Sequence, residues 1–159
     1  DTLCGSGHIL SVYHERYDAE RALVGIDLSP RMVAIAKTRL GSSAAVLTGD
    51  MCQLPDVPSE TASAVLSFFA VHHLDPEQVE IAVVEWRRVL QRGGQLVVAA
   101  WEGQGTIDYG TESDVVALRY TKEELSGWVR QAGFGVDRCV VEPVAQIPME
   151  AIYLEGSAA

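Results

Sequence analysis

The chain has 159 residues, 48% of them apolar, and its 22 acidic against 12 basic side chains give a formal charge of −10. That length suits a single domain, residues 1–159, able to bury a real core. The charge argues against a nucleic-acid backbone or an anionic membrane surface as the main partner, because both repel a net-negative protein. The densest basic cluster, Arg87 with Arg88, reads as a solvated helix face. Cys4, Cys52 and Cys139 are odd in number, widely spaced and without a CxxC pair. Neither a disulfide framework nor a metal site is expected from them, and the thiols read as reduced in a cytoplasmic protein. Without a basic-then-apolar leader pattern or an apolar run of about 18 residues, neither a signal peptide nor a membrane span is expected.

The chain opens on DTLCGSGH, with Gly5 and Gly7 on either side of Ser6. In HILSVYHERYDAE, the four-residue steps of Ile9, Tyr13 and Tyr17 predict a helix with one apolar side. RALVGID reads as a short strand ending in Asp27. SPRMVAIAKTRLG carries both helix end signals: Ser29 as cap with Pro30 behind it, and Gly41 past the end. AAVLTGD is a strand finishing at Asp50, and ETASAVLSFFA an extended run centred on 64–68. In DPEQVEIAVVEWRRVLQRGG, Asp75 caps, Pro76 starts, and Gly93 and Gly94 end the helix. Its Val79, Ala82, Val83, Trp86, Val89 and Leu90 form one buried stripe. QLVVAAW reads as a parallel strand covered on both faces. Residues 103–120 are polar and irregular. TKEELSGWVRQAGF has a capping box, Thr121 with Glu124, and stops at Gly133. VDRCVVEPV and MEAIYLEG close the chain as two strands with no helix between them. The alternation predicts an α/β fold: an open, mostly parallel sheet with helices on both faces and an antiparallel C-terminal hairpin at one edge.

Ligands in such sheets bind where strands finish at their carboxyl ends. The candidate groups are therefore the Gly5–Ser6–Gly7 turn, Asp27, Asp50 and residues 68–73. Asp27 stands twenty residues after Gly7, where a carboxylate suits the two hydroxyls of a ribose, with Leu28 against the adenine face. The competing reading is a turn aspartate ahead of Ser29. Asp50 suits an adenine amino group, with the Met51 amide beside the ring, against a plain loop aspartate. A dinucleotide fingerprint wants a small residue where Leu10 stands. A leucine there obstructs close helix–strand packing, which tilts the site from a nicotinamide dinucleotide toward a nucleoside without a pyrophosphate.

The segment D-x-x-C-G-S-G at 1–7 resembles the first motif, D-x-G-C-G-T-G, of the class I S-adenosylmethionine-dependent methyltransferases of small-molecule type. VGIDLSPRMVAIAK resembles that family's ribose motif and its helix, and GDMCQLP its adenine motif. VLSFFAVHHL, EWRRVLQRGGQLVVA and YTKEELSGWVRQAGF resemble later segments in the family's order. The resemblance implies a Rossmann-like three-layer sandwich with sheet order 3-2-1-4-5-7-6 and strand 7 antiparallel. It implies S-adenosyl-L-methionine as cofactor, S-adenosyl-L-homocysteine as product and a small-molecule methyl acceptor. The reaction it implies is an in-line SN2 transfer in which the protein aligns and desolvates the reactants. Carried over, Asp1, Gly5 and Gly7 hold the methionine part, Asp27 takes the ribose, and Asp50 and Met51 the adenine. Ser67 and Phe68 pass near the sulfonium.

His73, beside His72, is the candidate base, against a reading in which one of the two packs or caps ahead of Asp75. Trp101 lines the acceptor pocket or covers the sheet edge. Trp86 and Trp128 belong to the core, while Tyr109 and Tyr120 close over a substrate or pack on the surface. Leu3 stands where the family has its first glycine, crowding the cofactor carboxylate. No strand precedes Asp1, so the family's first strand and N-terminal lid helices are expected to be absent. The slot left in the sheet would invite strand addition from a second copy, making a homodimer. A non-catalytic relative that keeps the fold is the second reading.

Overall fold

The computed structural model describes residues 1–107 and 117–159, which fall into two compact units, Asp1–Leu54 and Pro55–Ala159. The first unit holds α1 (His8–Arg16), β1 (Val24–Asp27), α2 (Pro30–Leu40) and β2 (Ala45–Thr48). β1 and β2 pair in parallel, from Val24 opposite Ala45 to Asp27 opposite Thr48. The residues ahead of α1 run along the other edge of β1. Thr2 bridges Ile26 in the parallel sense, the Ile26 amide donates to the Asp1 carbonyl at 2.9 Å, and the Leu3 and Cys4 amides both donate to the Ile26 carbonyl at 2.8 Å.

Glycine decides how closely this unit packs. A methyl group on Gly25 would meet Cys4 Sγ at 2.9 Å and Leu10 Cδ1 at 3.0 Å, and one on Gly7 would meet Leu40 Cδ1 at 2.8 Å. The core assembled around these close approaches is Cys4, Leu10, Val33, Ala36, Leu40 and Val46. α2 has the expected ends: the Ser29 hydroxyl accepts from the Met32 amide, Pro30 opens the helix and Gly41 ends it. α1 differs from expectation. Ile9 and Tyr13 are half-buried, Tyr17 lies beyond the helix end and is 77% exposed, and Leu10 is the buried residue. Leu10 turns inward because Gly25 leaves room for it on β1.

The second unit holds β3 (Ala62–Phe68), a 3-10 turn (Val71–His73), α3 (Pro76–Val89), β4 (Leu90–Trp101), β5 (Thr106–Ile107), β6 (Ala117–Leu118), α4 (Lys122–Gln131), β7 (Phe134–Pro143) and β8 (Glu150–Ala158). Its main sheet has the order β3-β4-β8-β7. β3 and β4 are parallel, with α3 as the crossover, and β8 is antiparallel to both its neighbours. That order is the 4-5-7-6 stretch of the expected sheet, as β2-β1 is its 3-2 stretch, and the fold is Rossmann-like α/β. The α3 stripe is buried throughout, from Val79 to Leu90. Asp75 with Gln78, and Thr121 with Glu124, form capping boxes at the starts of α3 and α4. Gly93 and Gly94 do not end α3. The helix stops at Val89, and Leu90 is already opposite Ala62, so both glycines lie inside β4. Within residues 103–120, expected to be irregular, β5 and β6 form a short antiparallel ladder. Tyr109 lies outside the described residues. No helix among the described residues is long and apolar enough to cross a membrane.

The role of Gly25 is testable. Gly25→Val is expected to destabilise the chain by about 1–3 kcal/mol through overpacking, and adding Leu10→Ala to recover part of the loss by vacating the clash. Urea denaturation of the single and double variants reads both effects.

Candidate functional site

Between the Thr2–Ile26 bridge and α1 the chain must leave the edge of β1 and reverse. It does so with positive φ at three of five residues: Leu3 at 102°, Gly5 at 52° and Gly7 at 76°. Glycine adopts such angles freely, whereas for Leu3 the conformation costs about 1–3 kcal/mol. The Gly7 amide closes the turn on the Cys4 carbonyl at 2.8 Å. Asp27, at the end of β1 and 5% exposed, then ties the pieces together. Its Oδ2 accepts the Gly5 amide at 2.8 Å and its Oδ1 the Ser29 amide at 2.9 Å. The turn-aspartate role is therefore realised, and each oxygen, holding one N–H from these two amides, has acceptor capacity beyond it. Burial, with the Asp27 charge nearby, pushes the Cys4 thiol up, which keeps it an inert core thiol.

The surface beside this carboxylate is open. Leu28 is 65% exposed, and among the described residues no heavy atom beyond Gly5 and its two chain neighbours lies within 4 Å of where a Gly5 Cβ would stand. Asp50 is exposed and its Oδ1 accepts the Cys52 amide at 2.9 Å, an Asx turn that orients the loop, while Met51 beside it is buried. Asp1 is half-buried, held through its carbonyl by Ile26. Leu10 does not hold α1 away from the strand as expected: the close approach exists, with the glycine carried by β1 instead of the helix. Arg39, which sequence reasoning missed, donates from Nη1 to Ser6 Oγ at 2.9 Å and steadies the tip of the turn. Its place in the last turn of α2 was legible, but its reach depends on how α2 docks.

The second unit holds the other candidates. Ser67 is fully buried and its Oγ has no hydrogen-bond partner among the described residues, while Phe68 is half-buried. Phe69, not singled out by the sequence, has φ of 50°. Its amide donates to the Ala99 carbonyl at 2.7 Å and its ring lies 4.5 Å from that of Trp101. His72 is buried, its Nδ1 has no hydrogen-bond partner among the described residues, and its ring lies 4.0 Å from that of the exposed His73. Burial, then the neighbouring His73, lowers the His72 pKa to about 4. Tyr120 is not a lid: it is buried, its hydroxyl donates to the Leu74 carbonyl, and its ring meets Trp128 edge-on at 5.2 Å. Burial, aided by Asp75 and Glu124, pushes its phenol up to about 12. Trp86 is fully buried as expected, but Trp128 only half so.

Residues 1–98 match the model of a family described as the methyltransferase domain. An uncharacterised methyltransferase of Bacillus cytotoxicus is 36% identical over 81 residues, which are 51% of this chain and 37% of that protein. A SAM-dependent methyltransferase from Methanosarcina mazei superposes with a TM-score of 0.85 at 16% identity, covering 98% of this chain and 89% of that one. A Burkholderia thailandensis 1,6-didemethyltoxoflavin-N1-methyltransferase, solved with 1,6-didemethyltoxoflavin and S-adenosylhomocysteine bound, gives 0.81 at 17% identity, covering 100% and 69%. These structural likenesses carry the Rossmann-like fold. The chain spans less than half the length of the curated relatives it matches. With the family model covering more than half of its residues, the chain belongs to the methyltransferase domain family.

Proposed function

We propose that the first unit binds S-adenosylmethionine and that the protein transfers its methyl group to a small-molecule acceptor, releasing S-adenosylhomocysteine. The observation that carries this reading is Asp27, a carboxylate at a strand end that pins the glycine turn and the start of α2 through two backbone amides. Family membership and the open space at Gly5 and Leu28 support it. The residues fit an adenosyl group: a carboxylate with acceptor capacity for ribose hydroxyls, an uncovered apolar side chain beside it, and an exposed aspartate two residues past the next strand.

In this reading Asp1, Gly5 and Gly7 take the methionine part, Asp27 and Leu28 the ribose and one adenine face, and Asp50 and Met51 the adenine edge. Ser67 and Phe68, in the second unit, are assigned to the sulfonium on the family resemblance alone. The bound cofactor supplies a methyl group on an already good leaving group. The chain's own residues have to hold and align the reactants, which is where most of the acceleration lies. An acceptor that presents an O–H or N–H group loses that proton on methylation. Burial keeps His72 neutral, so the exposed His73 is the imidazole of the pair assigned to take that proton. A small-molecule acceptor is supported by the excess of acidic side chains and by the named ligand of the Burkholderia neighbour. The second reading, a domain that keeps the fold but transfers nothing, is favoured by the strained Leu3. Detection of S-adenosylhomocysteine by mass spectrometry with candidate acceptors separates the two.

Calorimetry with S-adenosylhomocysteine tests the site. Asp50→Ala is expected to weaken binding by about 1 kcal/mol, the worth of one hydrogen bond. Asp27→Ala is expected to weaken it by about 1–3 kcal/mol and to lower the thermal midpoint as well, since the same carboxylate holds the turn. No heat of binding with the unaltered chain would overturn the reading.

His72 makes a pH prediction. Above its ordinary value of 6.5 both folded and unfolded chains carry it neutral. As pH falls from 6.5 toward about 4 the unfolded chain takes a proton that the folded one refuses, so stability drops across that window. His72→Gln is expected to flatten the drop, read by urea denaturation at stepped pH. An unaltered slope would mean that His72 is hydrated in solution.

A further inference from the structure

Two departures from ordinary packing meet at the end of β4, both within the second unit. Phe69 holds φ of 50°, a conformation that strains any residue with a Cβ. Its ring lies 4.5 Å from that of Trp101, and both residues are half-buried. Arg119 is the second departure. It is half-buried, and its Nε is enclosed without a hydrogen-bond partner among the described residues. No ion pair or ring contact holds the guanidinium among those residues either. A buried donor on a charged group is costly to leave unpaired.

The backbone fixes where this cation stands. Glu102 bridges Tyr120 in the parallel sense, and the Tyr120 amide donates to the Trp101 carbonyl at 3.1 Å. Arg119 is therefore the register neighbour of Trp101. Its side chain runs over Gly103, where a Cβ would meet Nη1 at 3.3 Å, Cδ at 3.4 Å and Cζ at 3.5 Å. Any side chain at 103 would crowd the guanidinium, so the bare glycine lets it lie against the strand end. Glu102, the acid next to Gly103, is engaged elsewhere: its Oε2 accepts the Lys122 amide at 2.9 Å.

We propose that Arg119, Trp101 and Phe69 form a binding site for a flat molecule that carries a carboxylate. The class follows from the chemistry of the three side chains. A guanidinium is planar and permanently charged, and its N–H fork matches a carboxylate. With Nε enclosed, the Nη edge is the part that meets the ligand. The half-buried ring pair offers apolar surface to a planar group. A ring bearing a carboxylate satisfies both features, whereas an inorganic anion uses only the cation and a neutral ring only the aromatic pair. The site lies wholly in the second unit and does not depend on the adenosyl reading.

The test is a heteronuclear NMR titration of the unaltered chain with 2-naphthoate and with its uncharged counterpart, 2-naphthamide. The reporter is the Trp101 indole N–H, assigned by its loss in Trp101→Phe. Naphthoate is expected to shift that signal and to bind at least about tenfold more tightly than naphthamide. Arg119→Gln should bring the two ligands within about threefold of each other by weakening naphthoate alone. Arg119→Lys keeps the charge without the fork and should retain only part of the preference. Equal affinity of the two ligands for the unaltered chain, an unmoved Trp101 signal, or a preference that survives Arg119→Gln each overturns the proposal. The comparison in the unaltered chain needs no variant to fold, and the spectra report the folding of those that are made. S-adenosylhomocysteine calorimetry reads the adenosyl site separately, so failure here leaves that reading standing.

Discussion

Two backbone amides, those of Gly5 and Ser29, need an acceptor where a glycine turn and a helix start meet the end of a strand, and one carboxylate serves both. A buried amide without a partner costs about 1–3 kcal/mol, and a charged acceptor makes the stronger bond. Asp27 thus joins segments 22 residues apart in the chain. The shortness of the side chain matters, because the bond to Ser29 spans only two residues, the reach of an Asx turn. Everything else in the first unit accommodates that junction. Gly25 lets Leu10 and Cys4 onto the strand, Gly7 lets Leu40 under the turn, and Arg39 holds Ser6 from outside.

The result is a strand end where backbone amides and glycines gather round one carboxylate, with Leu28 exposed beside it. Such a surface suits a ligand recognised through hydroxyls and a flat ring, because amides and a carboxylate serve the first and an uncovered leucine the second. Leu3 is the exception. It brings bulk and strain to a turn that otherwise uses glycine wherever φ is positive, and local rules are broken in this way mainly where function demands it.

The second unit shows the same contrast between scaffold and strand ends. Its scaffold follows ordinary rules: an apolar stripe on α3, two capping boxes, and an antiparallel hairpin laid against β4. The departures gather at the end of β3 and just past it, where Ser67 and His72 keep polar atoms with no partner among the described residues and Phe69 adopts a positive φ beside Trp101. A buried polar atom without a partner is expensive, so these residues mark where packing alone did not choose the side chain.

Local signals were enough for much of this protein. Ser29 and Pro30, Asp75 and Pro76, and Thr121 with Glu124 mark helix starts because a cap satisfies amides within three residues of itself. The α3 stripe and the closing strand pair were equally legible, as was Asp27 at a strand end, whereas β2 stops at Thr48, two residues short of Asp50. What the sequence could not determine was the fate of single side chains whose partners are remote. Leu10 is buried in place of Tyr17 because Gly25, fifteen residues on from Leu10, leaves the space. Gly93 and Gly94 lie in a strand because β3 pairs with Leu90. His72 is buried and His73 exposed, and Tyr120 is bonded to Leu74, because tertiary packing chose between chemically equal neighbours. Capping and periodicity act over a few residues and so can be read along the chain, whereas burial is a property of the space that distant segments leave, and only the assembled structure decides it.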